Sequence, residues 1–424
     1  MNIWCAPAGL RPAPKSVDLD VVLYSQASNG EVGSIAASLP RAIERAQLAP
    51  DPVAWDFVSL ALAVVAADTF VLRTKSPDGW TREINLTVAI SDPDRWITNI
   101  SLIQKFLQFL TTDIWTISFV EGGQSAPTPN TTARLEQNCV SLLSGGLDSL
   151  IGAIDLTAQG NRPIVVSQVA QGDKDRQSKF AASIGGGLRH LQLNHNATFP
   201  FNHERSQRAR SLAFLAYGVL AATSLRRYHD GQTVPLYVCE NGLIAINPPL
   251  TPRRLGSLST RTAHPVFLGL VQNLLGNVGI NSRIENPYAF ETKGEMLAGC
   301  TDQELLSQYA ASTTSCGRFA RMGYCHCGRC VPCLIRRAAF NAWGLRDTTT
   351  YRYLQLSKRD ENHALFDDVR SAAVAVAEIQ SSGLERWLGA TLASPIIVDA
   401  TPYQEVVLRG MNELARFLTK AGIK

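Results

Sequence analysis

One stretch constrains this chain more than any other. It is Cys139-Val140-Ser141-Leu142-Leu143-Ser144-Gly145-Gly146-Leu147-Asp148-Ser149, running on into Leu150-Ile151-Gly152-Ala153-Ile154. An apolar run meets Ser-Gly-Gly-x-Asp-Ser, and a helix-forming segment follows directly. That order reads as a strand, a glycine turn and a helix N-terminus. The glycines allow a sharp turn and a close backbone approach to a ligand. The unpaired N–H groups at the helix start, with the positive end of the helix dipole, favour an anion there. The hydroxyls of Ser144 and Ser149 add donors. Asp148 repels a bare phosphate, so its presence implies a metal ion or an amine beside it. An ordinary βα turn is the plain alternative, and six residues in this context are more specific than that. No Gly-Lys-Ser/Thr follows, which excludes a Walker A loop.

A second constraint comes from cysteine spacing. Of nine cysteines, five fall between 316 and 333: Cys316, Cys325, Cys327, Cys330 and Cys333. Such clustering in a long chain reads as metal binding rather than disulfides. Cys327, Cys330 and Cys333 make C-x2-C-x2-C, and Cys316 can close a four-thiolate set suited to structural, tetrahedral zinc. The rival is an iron–sulfur cluster. Its ferredoxin run needs a fourth cysteine and a proline where Arg337 and Ala338 stand. Cys325 and His326 are spare ligands, and Cys325 could replace Cys316.

The chain has 424 residues, so more than one unit is expected, and 45% hydrophobic with 18% charged residues suits a globular protein with a sizeable core. A net charge of +4 is too mild to argue for a nucleic-acid binder. Arg205, Arg208, Arg210, Arg226, Arg227, Arg253, Arg254 and Arg261 crowd the middle. They suit phosphate-bearing ligands or, equally, a solvated face. The first residues lack the apolar region of a signal peptide. The apolar run 57–67 is too short to span a bilayer. A cytoplasmic protein with no membrane partner is expected.

In order, 19–24 reads as a strand, 28–30 as a turn, and 35–48 and 54–67 as helices. Residues 70–74 and 80–89 read as a hairpin across 76–79, with Trp80, Ile84, Leu86 and Val88 on one face. A helix from 92 to 110 and a strand at 114–120 complete an expected α+β domain over 1–121. Asp68 and Arg73 there read as a structural ion pair. Residues 122–135 read as a linker. The unit 136–350 alternates strands (164–169, 236–239, 284–287) with helices (from 177, and 206–225), the rhythm of a parallel sheet. A long loop at 244–265 reads as functional or mobile. His264, beside a proline, reads as structural. Thr292-Lys293-Gly294-Glu295 starts a helix, and Lys293 is either a phosphate or carboxylate ligand or a solvated lysine. Helices at 361–379, 383–392 and 403–418 form a C-terminal extension, 351–424, packed on the core or a partner.

The loop at 144–149 resembles the signature of the PP-loop ATP pyrophosphatases, which adenylate a carbonyl or carboxyl group and release pyrophosphate. The resemblance implies an α/β, doubly wound parallel sheet with ATP at the carboxyl ends of its strands. Arg210-Ser211-Leu212-Ala213-Phe214-Leu215, Thr292-Lys293-Gly294-Glu295, Ser315-Cys316 and the run from Cys327 to Arg336 follow in order. Together they resemble the 7-cyano-7-deazaguanine synthase family over about residues 139 to 346. The resemblance implies a nucleotide loop at Ser144, Gly145, Gly146, Leu147, Asp148 and Ser149, and catalytic roles for Asp148, Arg210 and Lys293. It also implies zinc ligands at Cys316, Cys327, Cys330 and Cys333. Asn241 and Arg261 are the candidate substrate contacts. Ser211 replaces the family's asparagine, its Tyr-Pro-Asp-Cys-Arg loop is missing around 259–265, and both extensions are foreign to it. Synthase-like proteins with such extensions are similar to those of Qat-type anti-phage defence operons.

The implied chemistry is carboxyl activation. A carboxylate is a poor electrophile until adenylation makes AMP its leaving group, after which an amine can attack. ATP and Mg2+ would serve the reaction and Zn2+ the fold. The acid would be a 7-carboxy-7-deazaguanine-like deazapurine, and the amine ammonia or an amino group of a partner protein from the same operon. Thiolation or lysidine formation on tRNA, and a non-catalytic nucleotide-sensing scaffold, are the alternatives.

Overall fold

The computed structural model describes residues 1–10, 17–27, 30–128, 135–169, 172–199, 201–204, 206–248, 250, 261–356 and 366–423. The first two residues of the expected 28–30 turn, Arg205, Arg253, Arg254, and parts of the linker, of the long loop and of the first tail helix lie outside them.

The N-terminal unit holds β1 (Asn2–Pro7), β2 (Leu19–Leu23), β3 (Gly33–Ile35), β4 (Glu83–Ile90) and β5 (Ile114–Glu121), in the order β3-β2-β1-β4-β5. Every pairing is parallel. Parallel neighbours need crossovers, and helices supply those to β4 and β5: Pro52–Phe70 before β4, then Pro93–Ile97 and Ile100–Thr111 before β5. The unit is therefore α/β, not α+β, and the hairpin is absent. Residue 70 ends a helix and Arg73–Lys75 is a 3-10 turn. Only Glu83–Ile90 is a strand, paired with β1 and β5. The reason is polar. Arg73 and Arg82 turn inward to Asp68 and Asp113, so the segment between them closes around a charge cluster instead of pairing. Ile84, Leu86 and Val88 are buried, but Trp80 precedes the strand and is 45% exposed.

Two helices differ from expectation. The one expected from 35 starts at Leu39, because Gly33–Ile35 joins the sheet and Ala36 takes a left-handed φ of 60°. The one expected over 92–110 is two helices, which meet between Ile97 and Ile100.

The second unit holds β6 (Cys139–Leu142), β7 (Pro163–Gln168), β8 (Arg189–Leu193), β9 (Val234–Tyr237) and β10 (Ser282–Glu285), in the order β10-β9-β6-β7-β8. It too is wholly parallel. The chain runs from β6 out to β8, then returns through the helix Arg210–Thr223 to the other side of β6. Strand order thus reverses between β6 and β9, and at that point a doubly wound sheet opens a crevice at its carboxyl edge.

The helix Pro52–Phe70 is apolar all round and buried from Ala54 to Phe70. It is longer than the run read from sequence, and is long and apolar enough to cross a membrane by those measures alone. Its place explains its composition. It lies between β4 and the helix Arg210–Thr223, so one apolar core runs through both units. The helices Phe366–Ser382, Leu384–Leu388 and Thr401–Lys420 close a separate apolar cluster with Val331–Trp343.

Candidate functional site: a glycine loop over the sheet's switch point

β6 ends at Leu142 and the helix Leu147–Ala158 starts five positions on. Gly145 takes a φ of +89°, which an L side chain resists, and this turns the chain back over the sheet. The loop is preformed. Ser144 Oγ accepts from Gly146 N at 3.2 Å and lies 3.1 Å from Ser149 Oγ, which donates to Gly146 O at 3.0 Å. The N-cap is Gly146, with no capping side chain, so the first-turn amides of the helix stay available to an anion.

Asp148 has the amine that its position demands. Lys293 Nζ donates to Asp148 Oδ1, and both side chains are buried. Asn241 donates to Oδ2 through its side-chain amide at 2.7 Å and its backbone N–H at 3.1 Å. Burial works against the charge on Asp148, but the Lys293 ammonium and hydrogen bonds from Glu240, Lys293 and Asn241 overcome it and hold the carboxyl well below its usual range. Glu240 is held above its usual range by burial first and by the Asp148 charge second. Burial and the neighbouring charges thus push the two carboxyls apart, Asp148 toward the ionised form and Glu240 toward the protonated one. Lys293 is aimed by a capping box, in which Thr292 and Glu295 cap each other's backbone. Glu413 and Arg409 of the last helix brace Thr292 and Glu295 in turn.

The crevice has two lobes. One, of about 290 Å³, is lined by Gly146, Asp148, Lys293, Thr314 and Cys316. The other, of about 390 Å³, is lined by Gln168, Arg208, Arg210, Phe214 and Thr262. Ser144, Ser149, Cys239 and Glu240 line both.

The structure thus brings the 144–149 loop, Lys293 and Arg210 around one crevice. Asn241 stands beside it, but is fully buried and spends its side chain on Asp148, Glu240 and the cap of the helix Gly242–Ile246. It positions Asp148 rather than facing a ligand. Arg261 is turned away. It donates to Phe109 O at 2.9 Å and lies 4.8 Å over the Phe109 ring. Arg226 and Arg227 serve the surface instead, pairing with Glu136 and Thr233. His264 caps the helix Pro265–Asn277 through Nδ1, and burial pushes it down to about 4. Glu240 and Glu413 were missed. Glu240 adjoins the singled-out Asn241 at a strand's carboxyl end, where this sheet class puts its ligands.

The sulfurs of Cys316, Cys327, Cys330 and Cys333 lie within 4.8 Å of one another and are buried. The Cys316–Cys330 and Cys327–Cys333 separations are each 3.8 Å. Tetrahedral zinc with arms of about 2.3 Å spaces sulfurs by about 3.8 Å. The N–H groups of Arg318 and Cys327 point at Cys316 Sγ, and those of Arg329 and Cys330 at Cys327 Sγ. The four cysteines could thus bind a metal such as zinc. Cys325 bonds Thr350 O, and His326 accepts from Ser315 N through Nε2, so neither joins the set. The cluster walls the first lobe, because Thr314 N donates to Gly145 O at 3.0 Å.

Compared with known proteins, the chain matches no family model, no curated protein and no solved structure.

Proposed function

We propose that this chain is an ATP-dependent enzyme of the PP-loop kind, resembling 7-cyano-7-deazaguanine synthases and acting in anti-phage defence. It adenylates a carboxylic acid and passes the acyl group to an amine. One observation carries the reading: a glycine loop with open helix-start amides sits at the switch point of a parallel sheet, flanked by Lys293 and Arg210. In the first step the acid's carboxylate oxygen bonds the α-phosphorus of ATP and pyrophosphate leaves. In the second the amine nitrogen bonds the acyl carbon, AMP leaves, and the amine gives up a proton. The loop amides hold the phosphates and Arg210 answers charge that grows on them. Lys293 keeps Asp148 compensated.

Both oxygens of Asp148 are engaged by Lys293 and Asn241, so Mg2+ would ride on the phosphates rather than on this acid. Zinc on the four cysteines would fix the lobe wall that carries Thr314. The acid is a 7-carboxy-7-deazaguanine-like base, and the amine is ammonia or an amino group of a partner protein.

The test is release of pyrophosphate and AMP from ATP with that acid. Asp148→Ala lowers it by about a hundredfold or more, the scale of losing one preorganised electrostatic group. Unchanged release in Asp148→Ala would refute the assignment of the loop.

A further inference from the structure

The helix Arg210–Thr223 starts without a cap of its own, since its N-cap residue is Ala209. The N–H groups of Arg208 and Ala209 donate instead to Oδ2 of Asp68, the latter at 2.8 Å, from 140 and 141 positions away in the chain. An acid at a helix start both caps it and suits its dipole. Asp68 is 1% exposed, and its other oxygen accepts from Arg82 at 2.5 Å, so the cap is held rigidly.

The Arg208 side chain fastens the same point from another side. It donates to Thr111 O at 2.7 Å and Thr112 Oγ1 at 2.9 Å, with its guanidinium 4.4 Å over Trp80. Phe109, two positions before Thr111 on the same helix, accepts from Arg261. The last carbonyls of a helix have no partner within it and carry its partial negative charge, so two arginines satisfy them. Arg208 and Arg210 on one segment, and Thr262 on the other, line the second lobe. One helix end of the N-terminal unit therefore anchors both segments.

We propose that the N-terminal unit is the frame that sets Arg210 at the crevice, with Asp68 a positioning residue that acts through Arg210 on the phosphates of bound nucleotide. This role rests on the ATP reading of the crevice, and it accounts for an extension that, among the described residues, supplies no group to the lining of either lobe. Asp68 does not touch the ligand. Its effect must vanish when Arg210 is gone.

The experiment is calorimetric binding of magnesium ATP to the full chain, for wild type, Asp68→Asn, Arg210→Ala and the double variant. Each single change weakens binding by about tenfold, the scale of one hydrogen bond to a charged group. The double variant binds no more weakly than Arg210→Ala alone. Losses that multiply overturn the proposal, because independent sites add in free energy. So does either single variant that binds as wild type. Should Asp68→Asn not fold, Thr112→Val carries the same cycle, since it removes one acceptor of Arg208 and leaves the buried acids intact. Its expected loss is about threefold, again absent when Arg210 is alanine. Binding is read without turnover. A chain that shows this pattern yet releases no pyrophosphate loses the adenylation reading and keeps the frame.

Discussion

Lys293 and Asp148, 145 positions apart, form a buried ion pair in which each residue comes from the first turn of its own helix. The pair explains how an acid can stand in an anion-binding loop: the ammonium cancels its charge and leaves the loop amides to a phosphate. Removing one partner strands the other without solvent, which typically costs about 3–5 kcal/mol. Lys293→Met should therefore lower the unfolding free energy by about that amount in urea titrations. A loss under about 1 kcal/mol would mean that water replaces the ammonium. The acid limb should move as well. A carboxyl held below its ordinary 3.8 contributes stability above that value and loses it as pH falls. Without Lys293 the folded carboxyl rises toward or past 3.8, so this acid-side loss should shrink relative to wild type.

Glu240 gives the opposite pH signature. Its carboxyl is held above the ordinary 4.5, by burial first and Asp148 second. Folding then takes up a proton, so its contribution is present below 4.5 and is lost as pH rises toward the folded value. Glu240→Gln keeps the shape and can still donate to Asp148, but has no proton to take up. The stability of the variant relative to wild type should grow from pH 5 to pH 8 in urea midpoints. A constant difference over that range would show that Glu240 is ionised in the folded chain.

How far the residues alone led depended on whether a signal was local. The loop was legible because Gly145 and its polar neighbours specify a backbone conformation within six positions. The cysteines were legible because their spacing is itself the coordination chemistry. The helix start at Lys293 was written in Thr292 and Glu295, three positions apart. The topology of the N-terminal unit was not local. Residues 76–79 do turn, with Gly79 N donating to Ser76 O at 2.9 Å, but a turn does not say whether its flanks pair. The partners of β4 are β1 and β5, tens of residues away on either side. Arg261 and Asn241 were visible as donors, but their direction was not. Asp68 read as a paired acid, yet its helix cap lies in the other unit.

The cysteine set makes a compositional prediction. The purified chain should carry one zinc per molecule by elemental analysis, and Cys330→Ala should abolish it. Cys325→Ser should leave it unchanged, because that sulfur bonds Thr350 O and stands outside the four. Stripping the metal with a chelator should lower the unfolding temperature. Structural zinc sites of this ligand type contribute about 10 kcal/mol or more to local folding. Zinc retained by Cys330→Ala would disprove the ligand set.

Gly145 separates backbone strain from space. Its φ of +89° is one that L residues avoid at a cost of about 1–2 kcal/mol. Space is not the obstacle, since an added Cβ would meet Gln177 Cγ at 3.5 Å, an ordinary contact. In Gly145→Ala the loop must either bear the strain or relax. Relaxation would move the carbonyl that accepts from Thr314 N and loosen the tie to the cysteine segment. Relaxation also takes the amides away from where a phosphate would meet them. Gly160 is the control, because its φ is +85° with nothing within 4 Å of an added Cβ, and it lies beyond the far end of the same helix. Both alanine variants should lose about 1–2 kcal/mol in urea titrations. Only Gly145→Ala should weaken magnesium ATP binding, by about tenfold or more. Equal ATP affinity in the two variants would mean that the loop conformation is not what holds the nucleotide.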